Sequence, residues 1–180
     1  MSASLMAEAV HWAAAALYPL AVAWAVVSDA RRLLIPNWTA AAVALAFLPA
    51  ALMGGLGLAA LGLHYGVGLV LLAIGLVLFW RGILGGGDVK LLAAVGVWIG
   101  LDDLLLYLVV MSFLGGALAL TVMAAARLKR AWPALDRIPW LGDGAPRTQA
   151  IPYGIAIGLA ALALAARSPA LPPAWASLLH

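Results

Sequence analysis

Seven acidic residues occur in this 180-residue chain, and two of them stand in surroundings suited to chemistry. Asp29 lies in the run Ser28-Asp29-Ala30-Arg31-Arg32-Leu33-Leu34-Ile35-Pro36-Asn37, and Asp88 follows three glycines in Gly85-Gly86-Gly87-Asp88-Val89-Lys90. Two carboxyls brought together and partly shielded from water are the equipment for activating a water molecule. The ionised one takes the water's proton while the protonated one polarises the carbonyl under attack. Mutual repulsion and desolvation push the apparent pKa values of such a pair apart, as in aspartic-protease dyads. Asp88 at a helix start would also feel the positive end of the helix dipole, which favours its ionised form and opposes those effects. Which carboxyl keeps the proton is therefore open. The plainer alternative makes both of them solvated helix-end residues, with Asp29 paired to Arg31 or Arg32.

The elements that must position this pair are set by composition. Hydrophobic residues make up 67% of the chain and charged ones 9%, with a mean hydropathy of +1.11. A soluble domain carries about 25% charged residues, so there is too little polar surface here to wrap a water-soluble globule. The expected class is an all-α polytopic membrane bundle, forming a single membrane-embedded domain over 1–180. Apolar stretches bounded by charges or turn residues predict six transmembrane helices, at about 8–28, 37–56, 60–80, 89–101, 104–126 and 151–167. The fourth is short and contains glycine, which suits a segment buried by its neighbours. Residues 1–10 hold no Lys or Arg and lead into a run long enough to span, so the first segment reads as a span rather than a cleaved signal peptide.

Nine of the ten basic residues fall on one side of that topology: Arg31, Arg32, Arg81, Lys90, Arg127, Lys129, Arg130, Arg137 and Arg147. Arg167 stands on the other. The positive-inside tendency makes the basic side cytoplasmic and both termini external. The same distribution explains the net charge of +3 without nucleic acid. Spans 2 and 3 lie between Asp29 and Asp88, so both carboxyls return to the cytoplasmic face. Ile151-Pro152-Tyr153-Gly154 opens span 6 on that face as well, where Pro152 fits a helix start and Tyr153 offers a hydroxyl. Pro36 disfavours helix at Ile35 and Asn37 is a candidate cap for span 2. Gly85, Gly86 and Gly87 permit positive φ and let a substrate backbone come close.

Together these three blocks resemble those of the prepilin peptidases and their archaeal relatives, the preflagellin peptidases. In that family one aspartate follows the first span in a D-x-x-x-x-x-I-P-N-like pattern, matched here by Asp29 through Asn37. The second stands in G-x-G-D followed by an apolar residue and Lys, matched by Gly85 to Lys90. The block Ile151-Pro152-Tyr153-Gly154-Ile155-Ala156-Ile157-Gly158 resembles the family's last recognisable one, so the likeness covers about 15–158. It implies a membrane aspartyl endopeptidase with Asp29 and Asp88 as catalytic residues. Gly85, Gly86, Gly87, Lys90, Pro152 and Tyr153 would bind substrate. That substrate is a prepilin or pseudopilin with a short basic leader, a small residue at the cleavage point and a hydrophobic helix beyond it. The implied setting is the cell's inner membrane with the site facing the cytoplasm. Large bifunctional members carry an insert with paired Cys-x-x-Cys motifs and methylate the new N-terminus. This chain has no Cys and only eight residues, 29–36, between its first two spans. It is similar instead to the compact type of tight-adherence (Flp-type) pili, and methyltransferase activity is not carried over.

The remaining candidates have plainer readings. Asp102 and Asp103 fall in an external turn; Asp136 and Asp143 lie in the polar loop at about 127–150, where turn chemistry accounts for them. Whether that loop closes over substrate is left open by the sequence. Lys90 either contacts a substrate or carboxylate or snorkels toward headgroups. His11 and His64 read as external interfacial residues, His180 ends a loose tail, and the eight Trp suit aromatic belts. No cofactor motif is present. With no His or further acid near the pair, no metal is expected, although carboxylate pairs can bind divalent cations. Three rival functions remain at this level. They are a different G-x-G-D intramembrane protease, a non-catalytic pilus-assembly subunit, and a small transporter using the acids as ion sites, although transporter sites usually lie near mid-membrane.

Overall fold

The computed structural model describes residues 3–128 and 151–172, and among these it is entirely helical. Helix α1 spans Ala3–Arg32, α2 Asn37–Met53, α3 Leu58–Trp80, α4 Gly86–Ile99, α5 Leu104–Leu128 and α6 Tyr153–Ala163, followed by a 3-10 turn at Ala165–Arg167. These are the six expected segments. Three contain stretches long and apolar enough to cross a membrane, Leu5–Arg32, Leu58–Trp80 and Leu104–Ala125. Helices α2, α4 and α6 have 17, 14 and 11 residues. At 1.5 Å per residue α4 is about 21 Å long, short of the ~30 Å hydrocarbon core. Its neighbours shelter it instead: Leu91 through Gly100 are all buried.

Helix α4 is the hub. It packs against α2, α3 and α6, while α1 packs against α2 and α6, and α5 against α6. The α3–α4 seam brings the backbones close, because Val89 seats against Gly75 and Leu71 against Gly96. Between apolar helices in lipid, such small residues allow the dispersion contacts that hold a pair together. Helix α3 rests chiefly on α4, leaving an open cleft on each of its flanks.

At the end of the bundle away from the aspartates, Trp98 is fully buried and organises the core. Its indole N–H donates to Val43 O at 2.7 Å, its ring stacks on Tyr18 at 4.4 Å, and Phe47 meets it edge-on at 5.4 Å. Ser168 Oγ donates to Trp98 O at 2.9 Å, and His64 stacks on Phe47 at 4.9 Å while its Nδ1 bonds Val97 O at 2.7 Å. Trp98 therefore departs from the expected belt; hydropathy cannot tell a helix face turned to protein from one turned to lipid. Trp24, Trp38 and Trp80 are exposed, as belt residues would be. His64 is likewise part of this cluster, and His11 Nε2 bonds Ala170 O at 2.9 Å. Trp98→Ala removes the ring that joins three helices and should cost about 3–5 kcal/mol, read as a lowered unfolding midpoint in detergent.

Asp103 pairs with Arg167 at 2.7 Å, so it closes the end of the bundle away from the aspartates rather than only making a turn. Both partners are solvent-accessible, and such pairs contribute little, of order 0–1 kcal/mol. Asp136, Asp143, Lys129, Arg130, Arg137, Arg147, His180 and all but the first two residues of the loop at about 127–150 lie outside the described residues.

Candidate active site

Three chain reversals place three helix ends together. The first is the exit from α1. Leu33 adopts φ 52°, its N–H donates to Asp29 O at 2.9 Å, and Ser28 Oγ donates to Leu34 O at 2.7 Å. A left-handed conformation at a branched residue costs about 1–2 kcal/mol, which the two hydrogen bonds and the burial of Ile35 offset. Ile35, 8% exposed, is thereby driven inward, and Asp29 on the last turn of α1 is 5% exposed. Arg31 and Arg32 are exposed, and among the described residues neither forms an ion pair with Asp29. That removes the plainer reading of Asp29 as a solvated partner of its arginines.

The second reversal opens α4. Gly85, with φ −71° and ψ 148°, is the N-cap, and its N–H donates to Asp88 Oδ2 at 3.2 Å. Asp88 is thus the third residue of the helix and reaches back across its positive end. The glycines before it are not in the left-handed region as expected; the preceding turn has its positive φ at Gly82. Close packing is what requires them. A Cβ on Gly87 would stand 3.0 Å from Ile35 Cβ, and one on Gly85 would stand 2.8 Å from Asp88 Oδ2. Gly86 lies against the Phe79 ring. Of the three, only Gly85 is exposed, so the chain's own Ile35 and Phe79 take the space expected for substrate beside the other two.

The third reversal opens α6. Pro152 is its buried N-cap, and Tyr153 lays its ring and hydroxyl over Gly115 of α5. Gly154 comes next, directly beneath the Asp29 carboxyl: a Cβ there would sit 2.8 Å from Asp29 Oδ2 and 2.6 Å from Ile35 Cδ1. The Gly154 N–H faces both Asp29 and Asp88, while the Ile155 N–H donates to Pro152 O at 3.1 Å. The two carboxyls thus converge on one backbone donor at the start of α6, near enough to feel each other's charge. Asp29 Oδ2 is buried and makes no hydrogen bond within the protein. A buried acceptor left without a partner is costly, and protonation would turn it into a donor.

Asp88 stands in the first turn of α4. Burial raises its carboxyl from the usual carboxylate range up to about 6, against the stabilising pull of the Gly85 and Gly154 amides on the ionised form. The cost of taking a charge out of water outweighs two amide dipoles here.

Lys90 is not part of this cluster. Its Nζ donates to Asn37 Oδ1 at 2.8 Å, on the α2 side of α4. Asn37 is therefore the first residue of α2 and not its cap; that position belongs to Pro36, while Thr39 Oγ1 donates to Pro36 O at 2.6 Å. Ile35, Gly154 and Ser28 were absent from the expected site. Ser28 and Gly154 each flank a residue that was in it, Ile35 belongs to the Ile-Pro-Asn block beyond Asp29, and a small residue one place after Tyr153 was the available sign of a close approach. Among the described residues no three His, Cys, Asp or Glu side chains come together.

Compared with known proteins, residues 16–120 match the family model described as the type IV leader peptidase family. The match takes in both aspartates, runs from the middle of α1 through most of α5, and stops before α6. No curated protein and no solved structure matches the chain.

Proposed function

The chain belongs to the type IV leader peptidase family, and we propose that it is an aspartyl endopeptidase of the inner membrane that removes the basic leader from prepilin-like substrates on the cytoplasmic side. The observation that carries this reading is the convergence of Asp29 and Asp88 on the Gly154 N–H. Six spans with external termini are the topology we assign, with the nine basic residues facing the cytoplasm.

In the mechanism, a water held between the carboxyls loses a proton to the ionised one as its oxygen attacks the scissile carbonyl carbon. The protonated carboxyl donates to the carbonyl oxygen, giving a neutral diol. Collapse of the diol breaks the C–N bond, and a proton passes to the departing nitrogen. The products are a leader with a new carboxyl group and a mature chain with a new amino terminus. Asp29 Oδ2, unpartnered within the protein, is the oxygen we assign to the retained proton, and Asp88 is then the base.

The substrate's apolar helix is assigned to the cleft between α3 and α5. This groove has a volume of about 360 Å³ and is lined by Leu71, Ile74, Leu78, Leu92 and Met111 among others. One end of its lining is formed by Leu84, next to Gly85, and by Tyr153, next to Gly154. A helix lying there would deliver the residues just before its own start to the dyad. Purified protein should cleave a Flp-type prepilin at its leader boundary and leave a generic secretory signal peptide intact. Cleavage of both would assign a broader G-x-G-D intramembrane protease. Cleavage of neither, by folded protein, would move the reading to an assembly subunit or transporter.

Asp88 as base sets the sign of the pH dependence. With its carboxyl raised to about 6, it is protonated and inactive well below that value and ionised above it. The rate of cleavage, kcat/KM, should therefore rise through about pH 6 rather than about pH 4. A rate already at its plateau at pH 5 would contradict the assignment.

A further inference from the structure

The second cleft beside α3 lies on the flank away from the aspartates, between α2 and α3 and floored by α4. It has a volume of about 230 Å³. Small and apolar residues line it: Ala40 and Ala44 of α2, Gly68 of α3, and Ala93, Ala94 and Val97 of α4. Its deep end is closed by Tyr65, whose hydroxyl donates to Ala44 O at 3.0 Å. The other end is Lys90. From Lys90 to Val97 the floor is one helix stripe spanning eight residues, about 10 Å long, a third of the hydrocarbon thickness. The wall is therefore greasy and narrow, and a single cation stands at its mouth.

Two features make that mouth attractive to an anion. Lys90 is exposed and, among the described residues, bonds only a neutral amide, Asn37 Oδ1. The end of α2 that meets it starts at Pro36 and Asn37 with no side-chain cap, so the positive end of a 17-residue helix adds to the ammonium charge. A basic leader would be repelled from this point. A molecule with an acyl chain and a negative head would satisfy both wall and mouth.

We propose that the α2–α3 cleft is a binding site for an anionic phospholipid, one acyl chain lying along Ala93, Ala94 and Val97 and the phosphate meeting Lys90 and the start of α2. The lipid fills the space between two helices that barely touch and fastens α3 from the side opposite the substrate groove. The site is independent of the peptidase reading and needs only that the chain sits in a bilayer.

The test is competitive lipid binding by native mass spectrometry. Full-length protein in a neutral detergent is mixed with equal amounts of phosphatidylglycerol and phosphatidylcholine bearing identical acyl chains. Wild-type protein should retain one phosphatidylglycerol at about fivefold preference, as one lysine near a membrane surface supplies. Lys90→Gln should reduce the preference to parity and Lys90→Arg should keep it. Arg81→Gln removes a charge of the same sign at the end of α3, outside the cleft lining, and should leave the preference in place. Ala93→Phe fills the floor and should lose both lipids. Inorganic phosphate should not compete; if it displaces the lipid, the site is one for phosphate alone and the proposal fails. Equal preference in wild type and Lys90→Gln, or equal losses in Lys90→Gln and Arg81→Gln, would reduce the effect to general surface charge and overturn it.

Discussion

Asp29→Asn and Asp88→Asn should each lower the rate of leader cleavage by about 10³-fold while leaving the protein folded. Asn keeps the shape of the carboxyl but can neither take a proton from water nor hold one for the carbonyl oxygen. Two buried carboxyls that feel each other's charge disfavour the doubly ionised state, so a neutral amide at either position relieves repulsion. The unfolding midpoint should therefore hold or rise in both variants. Loss of activity together with gain of stability is the signature of a functional acid; a solvated helix-end residue would show neither. The double variant should be no slower than either single one, because members of one catalytic unit are not additive.

Gly154→Ala should cost about 10²-fold in kcat with little change in stability. Gly154 lies in the first turn of α6, and alanine is the better helix former by about 1 kcal/mol, so backbone preference alone would stabilise the variant. Its one added carbon, however, would stand 2.8 Å from Asp29 Oδ2 and 2.6 Å from Ile35 Cδ1. Neither neighbour can move far, since Asp29 and Ile35 are both buried and Ile35 also bears on Gly87. The carboxyl must shift by several tenths of an ångström, and displacements approaching 1 Å carry losses of this size. Turnover measured beside the unfolding midpoint separates this outcome from unfolding. Wild-type turnover would show that the contact between α6 and Asp29 does not position the carboxyl.

Much of this was legible from residue order. Apolar runs bounded by charges and turn residues predict helices in a chain so poor in charge, and the six helices start and end within a few residues of the stretches read from hydropathy. The convergence of Asp29 and Asp88 followed from counting the two segments between them. What was hidden depends on which side of a helix meets protein. Trp98 and Trp80 are alike to any composition measure, yet one is the centre of the core and the other is 90% exposed. The glycines before Asp88 were expected to matter for conformational freedom, whereas in the structure close packing is what requires them. Conformational freedom is a property of one residue and can be read locally, whereas a close approach to Ile35, some fifty positions away, depends on tertiary packing. The same holds for Gly154: its neighbour Tyr153 carries an obvious functional group, while glycine's contribution is the space it leaves for a carboxyl from another helix. Lys90 belongs to this class too, since adjacency to Asp88 in the chain placed it near the dyad and the helical turn carries it to the other flank of α4.

The most direct measurement is leader cleavage by wild type, Asp29→Asn and Asp88→Asn, each reconstituted in the same lipid with a Flp-type prepilin and the products weighed by mass spectrometry. The expected result is a single cut at the leader boundary by wild type, absent within the same time in both variants. Cleavage by either variant at near the wild-type rate would contradict the paired-carboxyl account.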